Sequence, residues 1–285
     1  MPKFAANLHY LFSEHPFLDR FAAAADVGFR GVEAQVPYGW PAAEVAKRLE
    51  GNGLEMALID TVQGDWDAGE RGLAALPGRE AEFRDAIAKA IDYAGTIRCS
   101  CVHVIAGTVP ADADRDRMKK TYLENLAYAA EALGTHGISA VIEPINPHMG
   151  VVADGELYTT YGMRGFYLTS TAQALDTIEA VNHPNLHLHL DVYHIQMTEG
   201  RIADTLRAAA VRRNGPGQLK HLQIAGVPGR NEPDGGEINY PYVFDLIDEL
   251  GFEGWVGCEY RPRGSTFDGL GWARRYGIES AKQAE

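Results

Sequence analysis

The chain has 285 residues, of which 46% are hydrophobic and 23% are charged, an ordinary composition for a folded protein with a sizeable core. Its formal net charge is −13, and no run of lysine or arginine stands out. We therefore expect no nucleic-acid partner and no binding to an anionic membrane, because both depend on concentrated positive charge.

Two further features of the sequence concern the cellular compartment. No charged segment is followed by a long apolar stretch, and no window is apolar enough to span a bilayer, so we expect a cytoplasmic protein. Cys99 and Cys101 lie two apart in a strand-like stretch, without the second ligand pair that a structural zinc site needs. We expect these two cysteines and Cys258 to be buried, reduced thiols.

Short apolar segments alternate with amphipathic segments along the whole chain. The predicted strands are 4–8, 31–36, 54–59, 101–105, 140–145, 186–191, 219–225 and 255–260. Each is followed by a segment with apolar residues at helical spacing, and the last of these is a predicted helix near 270–278. These eight strand-then-helix units predict a (β/α)8 TIM barrel, with residues 1–285 as a single domain. A doubly wound sheet is the competing architecture, but no glycine-rich fingerprint follows the first strand.

The sixth predicted strand, Leu-His-Leu-His-Leu-Asp, alternates strictly between apolar and polar residues. Its polar face carries His187, His189 and Asp191, because successive side chains of a strand point to opposite faces. Inward side chains of a barrel strand stack in layers, and only the carboxyl end of the strand reaches the site. We therefore predict Asp191 in the site and both histidines in the barrel interior.

Four consecutive strands, from the fifth to the eighth, end in a polar residue where the apolar pattern would otherwise continue. The four residues are Glu143, Asp191, Gln223 and Glu259. Carboxylates that converge in one barrel mouth need a counter-ion, since like charges at short range repel each other. Ligands that are all oxygen atoms favour Mg²⁺ or Mn²⁺ over zinc, so we predict a divalent metal ion as cofactor.

Several longer motifs resemble the hydroxypyruvate isomerase family, which belongs with the xylose-isomerase-like barrels. They are Ile-Glu-Pro-Ile-Asn at 142–146, Gly-Cys-Glu-Tyr at 257–260, Gly-Gly-Glu-Ile-Asn-Tyr at 235–240 and Gly-Asp-Trp at 64–66. The resemblance covers nearly the whole chain. It implies an aldose-ketose isomerase that interconverts hydroxypyruvate and tartronate semialdehyde (2-hydroxy-3-oxopropanoate), or a close 2-oxo acid such as 2-oxotetronate.

The resemblance also implies roles for the four strand-end residues. Glu143 and Glu259 match the catalytic acid/base pair, which moves a proton through an enediolate that a metal ion stabilises. The same two residues, with Asp191 and Gln223, match the metal ligands. Gln223 stands where the related epimerases have a metal-binding histidine, which suggests a weaker or more exchangeable metal.

A substrate with its own carboxylate needs a cation in this acidic chain. By the resemblance, His194 and Arg230 match residues that hold the substrate in related epimerases, and Arg230 is the first candidate for the carboxylate. Arg71 and Arg79, in the loop after the third strand, are further candidates, and Trp66 is a candidate wall of the pocket. We expect His103, on the fourth strand, to be satisfied inside the barrel.

The segment 148–164, after the fifth strand, is longer than the family leads us to expect. Tyr158, Tyr161, Phe166 and Tyr167, in or just after it, form either a lid or a subunit contact in a homo-oligomer.

Four other functions stay open at this point. A ketose 3-epimerase or a lyase that dehydrates a polyol ketone could use the same ring of residues. A DNA-repair endonuclease would need its histidines to build a zinc cluster, and the lack of a basic surface argues against it. A non-catalytic metal-binding protein is the last alternative.

Overall fold

The computed structural model describes residues 1–148, 163–211 and 218–279. The strands, numbered in chain order, are β1 Lys3–Asn7, β2 Gly31–Ala34, β3 Glu55–Asp60, β4 Cys101–His103, β5 Ser139–Ile142, β6 Leu186–Asp191, β7 Leu219–Ile224 and β8 Trp255–Cys258. The α-helices are α1 Arg20–Asp26, α2 Ala42–Asn52, α3 Glu80–Ile97, α4 Arg115–Gly134, α5 Thr171–Val181, α6 Val192–Thr198, α7 Ile202–Ala210 and α8 Tyr240–Glu249. Short 3-10 helices lie at Phe17–Asp19, Pro37–Gly39 and Asp268–Tyr276. Within the described ranges, no helix is both long and apolar enough to cross a bilayer.

The eight strands form a closed barrel in chain order, and every pairing is parallel. β1 closes the ring, because Ala6 pairs with Val32 of β2 on one side and with Cys258 of β8 on the other. The predicted (β/α)8 TIM barrel is therefore confirmed. All eight carboxyl ends open on one face, where enzymes of this architecture carry their sites.

The longer helices cover the barrel with one apolar face each, as α3 illustrates. Phe83, Ile87, Ala90 and Ala94 follow one another at helical spacing and are all buried in the core. The helix ends where Arg98 adopts a left-handed conformation with φ 55°, and its N–H caps the carbonyls of Ala94 and Gly95.

The barrel interior changes from apolar to polar along the strands. Leu58, Cys101 and Val141 form a small apolar cluster inside it. His103, in β4, and Glu143, just after β5, each lie one inward-facing position further along the chain, and both are buried. The interior is thus an apolar floor beneath a polar layer. The three cysteines are free and buried, as predicted.

The last segment differs from the prediction, because a 3-10 helix at Asp268–Tyr276 replaces the α-helix near 270–278. The helix begins Asp-Gly-Leu-Gly, and two glycines in one turn weaken α-helix formation by about 1 kcal/mol each. Packing still holds the segment in place, since the ring of Trp272 meets that of Phe4 edge-on at 5.2 Å.

Most of the segment predicted as an insertion at 148–164 lies outside the described residues, which omit 149–162. Tyr158 and Tyr161 are among the omitted residues. Phe166 and Tyr167 are described, and only 3% and 7% of their surface is exposed. The proposed lid or subunit contact is therefore wrong for these two aromatic residues, which belong to the core; the homo-oligomer itself stays a prediction.

Candidate active site

The four polar residues predicted from the strand ends all lie buried at the carboxyl end of the barrel. Glu143 and Glu259 follow β5 and β8 directly, and Asp191 is the last residue of β6. Gln223, in β7, is paired in register with Asp191 on one side and with Gly257 on the other. Neighbouring strand ends thus bring the four side chains to one mouth.

A cavity of about 810 Å³ opens at this mouth, a volume typical of small-molecule sites. Seven of the predicted site residues line it: Trp66, Arg71, Glu143, His194, Gln223, Arg230 and Glu259. Asp191 is fully buried against two of these lining residues, His194 and Arg230.

Arg230 lies between two of the predicted carboxylates. Its Nη2 atom is 2.9 Å from Asp191 Oδ2 and 2.9 Å from Glu259 Oε1, and the side chain is buried. The residue has a φ of 51°, a conformation that costs a non-glycine residue about 1 kcal/mol or more. The two ion pairs offset that cost, because each compensates a charge that would otherwise be buried alone.

In the part of the chain that the structure describes, Glu143 has no such cationic partner at hydrogen-bond distance. Its Oε2 atom is 3.7 Å from Nδ1 of His103 and 3.7 Å from Nδ1 of His189, and Oε1 has no hydrogen-bond partner among the described residues. Burial raises the pKa of the Glu143 carboxyl well above its usual range, and the negative charges of Glu259 and Asp191 raise it further.

Glu259 is also buried, but hydrogen-bond donors stabilise its ionised form. Burial raises the pKa of its carboxyl well above the usual range, whereas the Arg230 guanidinium acts in the opposite direction. Gln35 Nε2 also donates to Glu259 Oε1 at 2.9 Å. The two glutamates of the mouth therefore differ, since within the described ranges only Glu259 has partners that stabilise the carboxylate.

His194 is held in one orientation by Asn146. The amide oxygen of Asn146 accepts from the N–H of His148, so its Nδ2 faces His194 Nδ1, at 2.6 Å. Burial lowers the pKa of His194 well below its usual value, so the ring is neutral. Nε2 then carries the hydrogen, and this donor lies 3.6 Å from Asp191 Oδ2 and 4.0 Å from Glu143 Oε1.

Two groups of three buried side chains in the described ranges offer ligand atoms within 4.8 Å of one another. The groups are Glu143, Asp191, His194 and His103, Glu143, His189. The unpartnered Oε1 of Glu143 is a buried carboxylate oxygen, which a bound cation would satisfy. The cavity thus contains residues that could hold a metal ion.

Gln223 and Glu259 belong to neither group. The amide of Gln223 is hydrogen-bonded to His189 and Glu33, and Glu259 is paired with Arg230. The predicted four-residue ligand set therefore stays a prediction.

The three histidines that we assigned to the barrel interior are all buried, but two of them also reach the cavity. His103 and His189 are 3% and 1% exposed, and both line the cavity beneath Glu143. The cavity thus extends one layer of side chains deeper into the barrel than predicted, and His189 of β6 belongs to it as well as to the interior. His187 is buried and does not line the cavity.

The loop after β3 brings Trp66 and Arg71 to the rim of the cavity. The Arg71 guanidinium lies 3.4 Å from the centre of the Trp66 ring and donates to the carbonyl of Trp66 at 2.9 Å. Half of the Trp66 surface is exposed. Arg79 is instead paired with Glu70 and Glu82, and it does not line the cavity.

Sequence reasoning missed three functional-site candidates on β2 and β3. Glu33 and Asp60 are 1% and 3% exposed inside the barrel, and Gln35 contacts Glu259. A signal was present, because Glu33 interrupts the otherwise apolar Gly-Val-Glu-Ala of β2.

A closed parallel barrel with a carboxylate-rich cavity at its carboxyl ends has the architecture of a TIM-barrel enzyme. Residues 21–276 match the model of the xylose isomerase-like TIM barrel family. The chain belongs to this family, as predicted.

Named relatives of the chain cover nearly its whole length. It is 51% identical to the 2-oxo-tetronate isomerase of Cupriavidus necator, over 97% of this chain and 99% of that protein. It is 42% identical to the hydroxypyruvate isomerase of Escherichia coli, over 97% and 100%. A crystal structure described as an AP endonuclease, family 2, from Brucella melitensis is 41% identical, with a TM-score of 0.88 over 97% of this chain and 99% of that chain. The prediction of an isomerase is confirmed by the first two relatives.

Proposed function

We propose that the chain interconverts short sugar acids, moving a carbonyl group between C2 and C3 of a 2-oxo-3-hydroxy acid. 2-Oxotetronate is our first candidate substrate, because the relative at 51% identity is named for it. Hydroxypyruvate is the second candidate, because the relative at 42% identity is named for it. One observation carries the proposal: two buried carboxyl groups share one cavity, and among the described residues only one of them, Glu259, has donors that stabilise its charge.

The reaction removes a proton from C3 and returns one to C2 through an enediolate. Two carboxyl groups on opposite sides of the intermediate suit this task, and each contributes about 10²-fold to 10⁴-fold as base or acid. Arg230 and Gln35 stabilise the ionised form of Glu259, which we assign as the base in this direction. Burial favours the protonated form of Glu143, which we assign as the acid. In the reverse direction the two roles exchange.

Other residues of the cavity would orient the substrate. The Nε2–H of His194 lies between Asp191 and Glu143, where it can donate to a substrate oxygen. Two buried carboxylates already neutralise the charge of Arg230, so we assign the substrate carboxylate to Arg71 at the rim rather than to Arg230.

A divalent cation fits this site, with Glu143 and Asp191 as its first protein ligands and Gln223 and Glu259 as further predicted ones. Ligands that are all oxygen atoms favour Mg²⁺ or Mn²⁺. When bound, the ion would supply positive charge beside the substrate oxygens as negative charge develops on them.

A test of the substrate class compares acids with neutral ketoses. We expect kcat/KM for 2-oxotetronate or hydroxypyruvate to exceed that for fructose, tagatose or psicose by about 10-fold to 150-fold, since a hydrogen bond to a charged group contributes about 1.5–3 kcal/mol. Product formation is followed by NMR. Equal turnover of a ketose would favour the epimerase alternative, and loss of water from the substrate, detected by mass, would favour the lyase.

A second test addresses Arg71. We expect Arg71→Met to raise KM for the acid by about 10-fold to 100-fold and to change kcat by less than about threefold, because the group binds the substrate far from the reacting carbons. Arg84→Met is the matched control, since Arg84 also lies over an aromatic ring, that of Tyr128, but outside the cavity. An unchanged KM in Arg71→Met would contradict the assignment.

The Brucella structure is described as an endonuclease, and the net charge of this chain argues against that activity. A DNA-repair endonuclease must contact a phosphate backbone, and that contact depends on lysine and arginine. The net charge of −13 and the three buried carboxylates of the mouth disfavour a polyanion. We therefore retain the isomerase.

A further inference from the structure

A layer of buried polar side chains lies directly beneath the proposed acid/base pair. Its centre is Glu33 of β2, which is 1% exposed. Glu33 Oε1 accepts from Asn7 Nδ2 and from Gln223 Nε2, both at 2.8 Å, and Oε2 is 2.6 Å from His221 Nε2. The catalytic scheme above uses none of these contacts.

A glycine on β8, which lies on the other side of β1 from β2, leaves room for this carboxylate. A Cβ atom at Gly257 of β8 would lie 2.2 Å from Glu33 Oε2 and 2.4 Å from Oε1, closer than any real Cβ contact. Only glycine therefore allows Glu33 to reach the barrel axis. Three hydrogen bonds then compensate the burial of its charge.

Glu33 decides which way the Gln223 amide faces. A carboxylate only accepts hydrogen bonds, so the NH₂ group of Gln223 must point to Glu33, and the Oε1 atom must point away from it. That oxygen lies 2.9 Å from Nε2 of His189. Since an amide oxygen only accepts, Nε2 of His189 carries the hydrogen.

The same series of hydrogen bonds also determines the role of Nδ1, the second ring nitrogen of His189. With the hydrogen on Nε2, Nδ1 of the neutral ring is an acceptor, and it has no hydrogen-bond partner among the described residues. Nδ1 lies 3.7 Å from Glu143 Oε2. This exceeds a hydrogen bond, but a movement of about 0.5–1 Å closes it, and such contacts often tighten when substrate binds.

We propose that Glu33 is a positioning residue of the isomerase: through Gln223 it holds His189 in the Nε2–H tautomer, so that the acceptor Nδ1 faces Glu143 Oε2. His103 approaches the same oxygen at 3.7 Å, but its Nδ1 is also 3.2 Å from Asp60 Oδ1. His189 thus presents an acceptor nitrogen to the Glu143 carboxyl group. The expected effect on turnover rests on the function proposed above, whereas the tautomer does not.

The test measures the tautomer directly, by ¹⁵N NMR of histidine side chains in the substrate-free chain, with His189→Gln to assign the signal. We expect the Nε2–H form for His189 in the wild type. In Glu33→Met the NH₂ group of Gln223 loses its acceptor, so the amide can rotate by about 180° and exchange its oxygen and nitrogen. The Nδ1–H form of His189 should then become populated. In the same variant kcat should fall at least about 10-fold, with KM changed by less than about threefold.

Exchanging the two side chains at positions 33 and 223 should restore the His189 tautomer. In Glu33→Gln combined with Gln223→Glu, the NH₂ group at position 33 donates to a carboxylate at 223, which again accepts from His189 Nε2. We expect this double variant to regain the Nε2–H tautomer. Glu55→Met, at the exposed first position of β3, is the control for the substitution itself and should leave tautomer and kcat unchanged.

Two results would overturn the proposal: an Nδ1–H His189 in the wild type, or an unchanged tautomer in folded Glu33→Met. If Glu33→Met does not fold, the wild type and the double variant still decide the question. A wild-type chain that isomerises no acid would refute the proposed function alone, because the tautomer is measured without substrate.

Discussion

Replacing Glu143 or Glu259 by glutamine is expected to lower kcat by about 10²-fold to 10⁴-fold and to leave the barrel folded. An amide can neither take nor return the proton, and a positioned acid or base is worth a factor of this size. Burial raises the pKa of the Glu143 carboxyl, which means that it penalises the ionised form, so Glu143→Gln should unfold, in a thermal melt, at or above the wild-type temperature. Glu259→Gln should unfold below it, because the variant removes one of the two carboxylates that neutralise the buried Arg230.

The control for this pair is Glu253→Gln, an exposed glutamate just before β8 that lies outside the cavity. We expect it to retain wild-type kcat, measured with the better of the two acid substrates. A Glu143→Gln or Glu259→Gln variant with more than half of the wild-type activity would remove that residue from the acid/base pair.

Asp191→Asn is expected to weaken binding of Mn²⁺ at least about 10-fold, measured by calorimetry on chain stripped of metal. The variant loses the negative charge that attracts the ion, and it also leaves Arg230 with one carboxylate fewer to neutralise it. Both effects oppose a cation. The readout is independent of turnover, so it tests the site rather than the reaction.

His189→Gln is the comparison that separates the two candidate groups of metal ligands. If the ion binds at Glu143 and Asp191, this variant should change the affinity by less than about threefold. A larger loss in His189→Gln than in Asp191→Asn would instead locate the ion at His103, Glu143 and His189.

The proposed function assigns different tasks to the rim and the floor of the cavity. At the rim, we assign substrate binding to Arg71 and the half-exposed Trp66. At the floor, we assign proton transfer to two buried carboxyl groups, of which Glu259 is paired with Arg230. In this proposal, binding and proton transfer use separate parts of one cavity.

Local patterns in the sequence were sufficient for the barrel and for the strand-end residues. Eight alternations of strand and helix follow from hydrophobic periodicity, which depends only on neighbouring residues. Glu143, Asp191 and Glu259 could be found because each interrupts an apolar run where a strand ends, and the carboxyl ends of a barrel share one face. The motifs around them further identified the family.

Only the tertiary structure decided how deep the cavity reaches and which groups meet in it. Glu33 contacts His221 across 188 positions of sequence, and no local pattern encodes a contact that depends on barrel closure and register. The same holds for Arg230, whose pairing with two carboxylates depends on how the ends of β6, β7 and β8 meet. Sequence periodicity determines which face a side chain points to, whereas its partner on that face depends on how all eight strands are staggered.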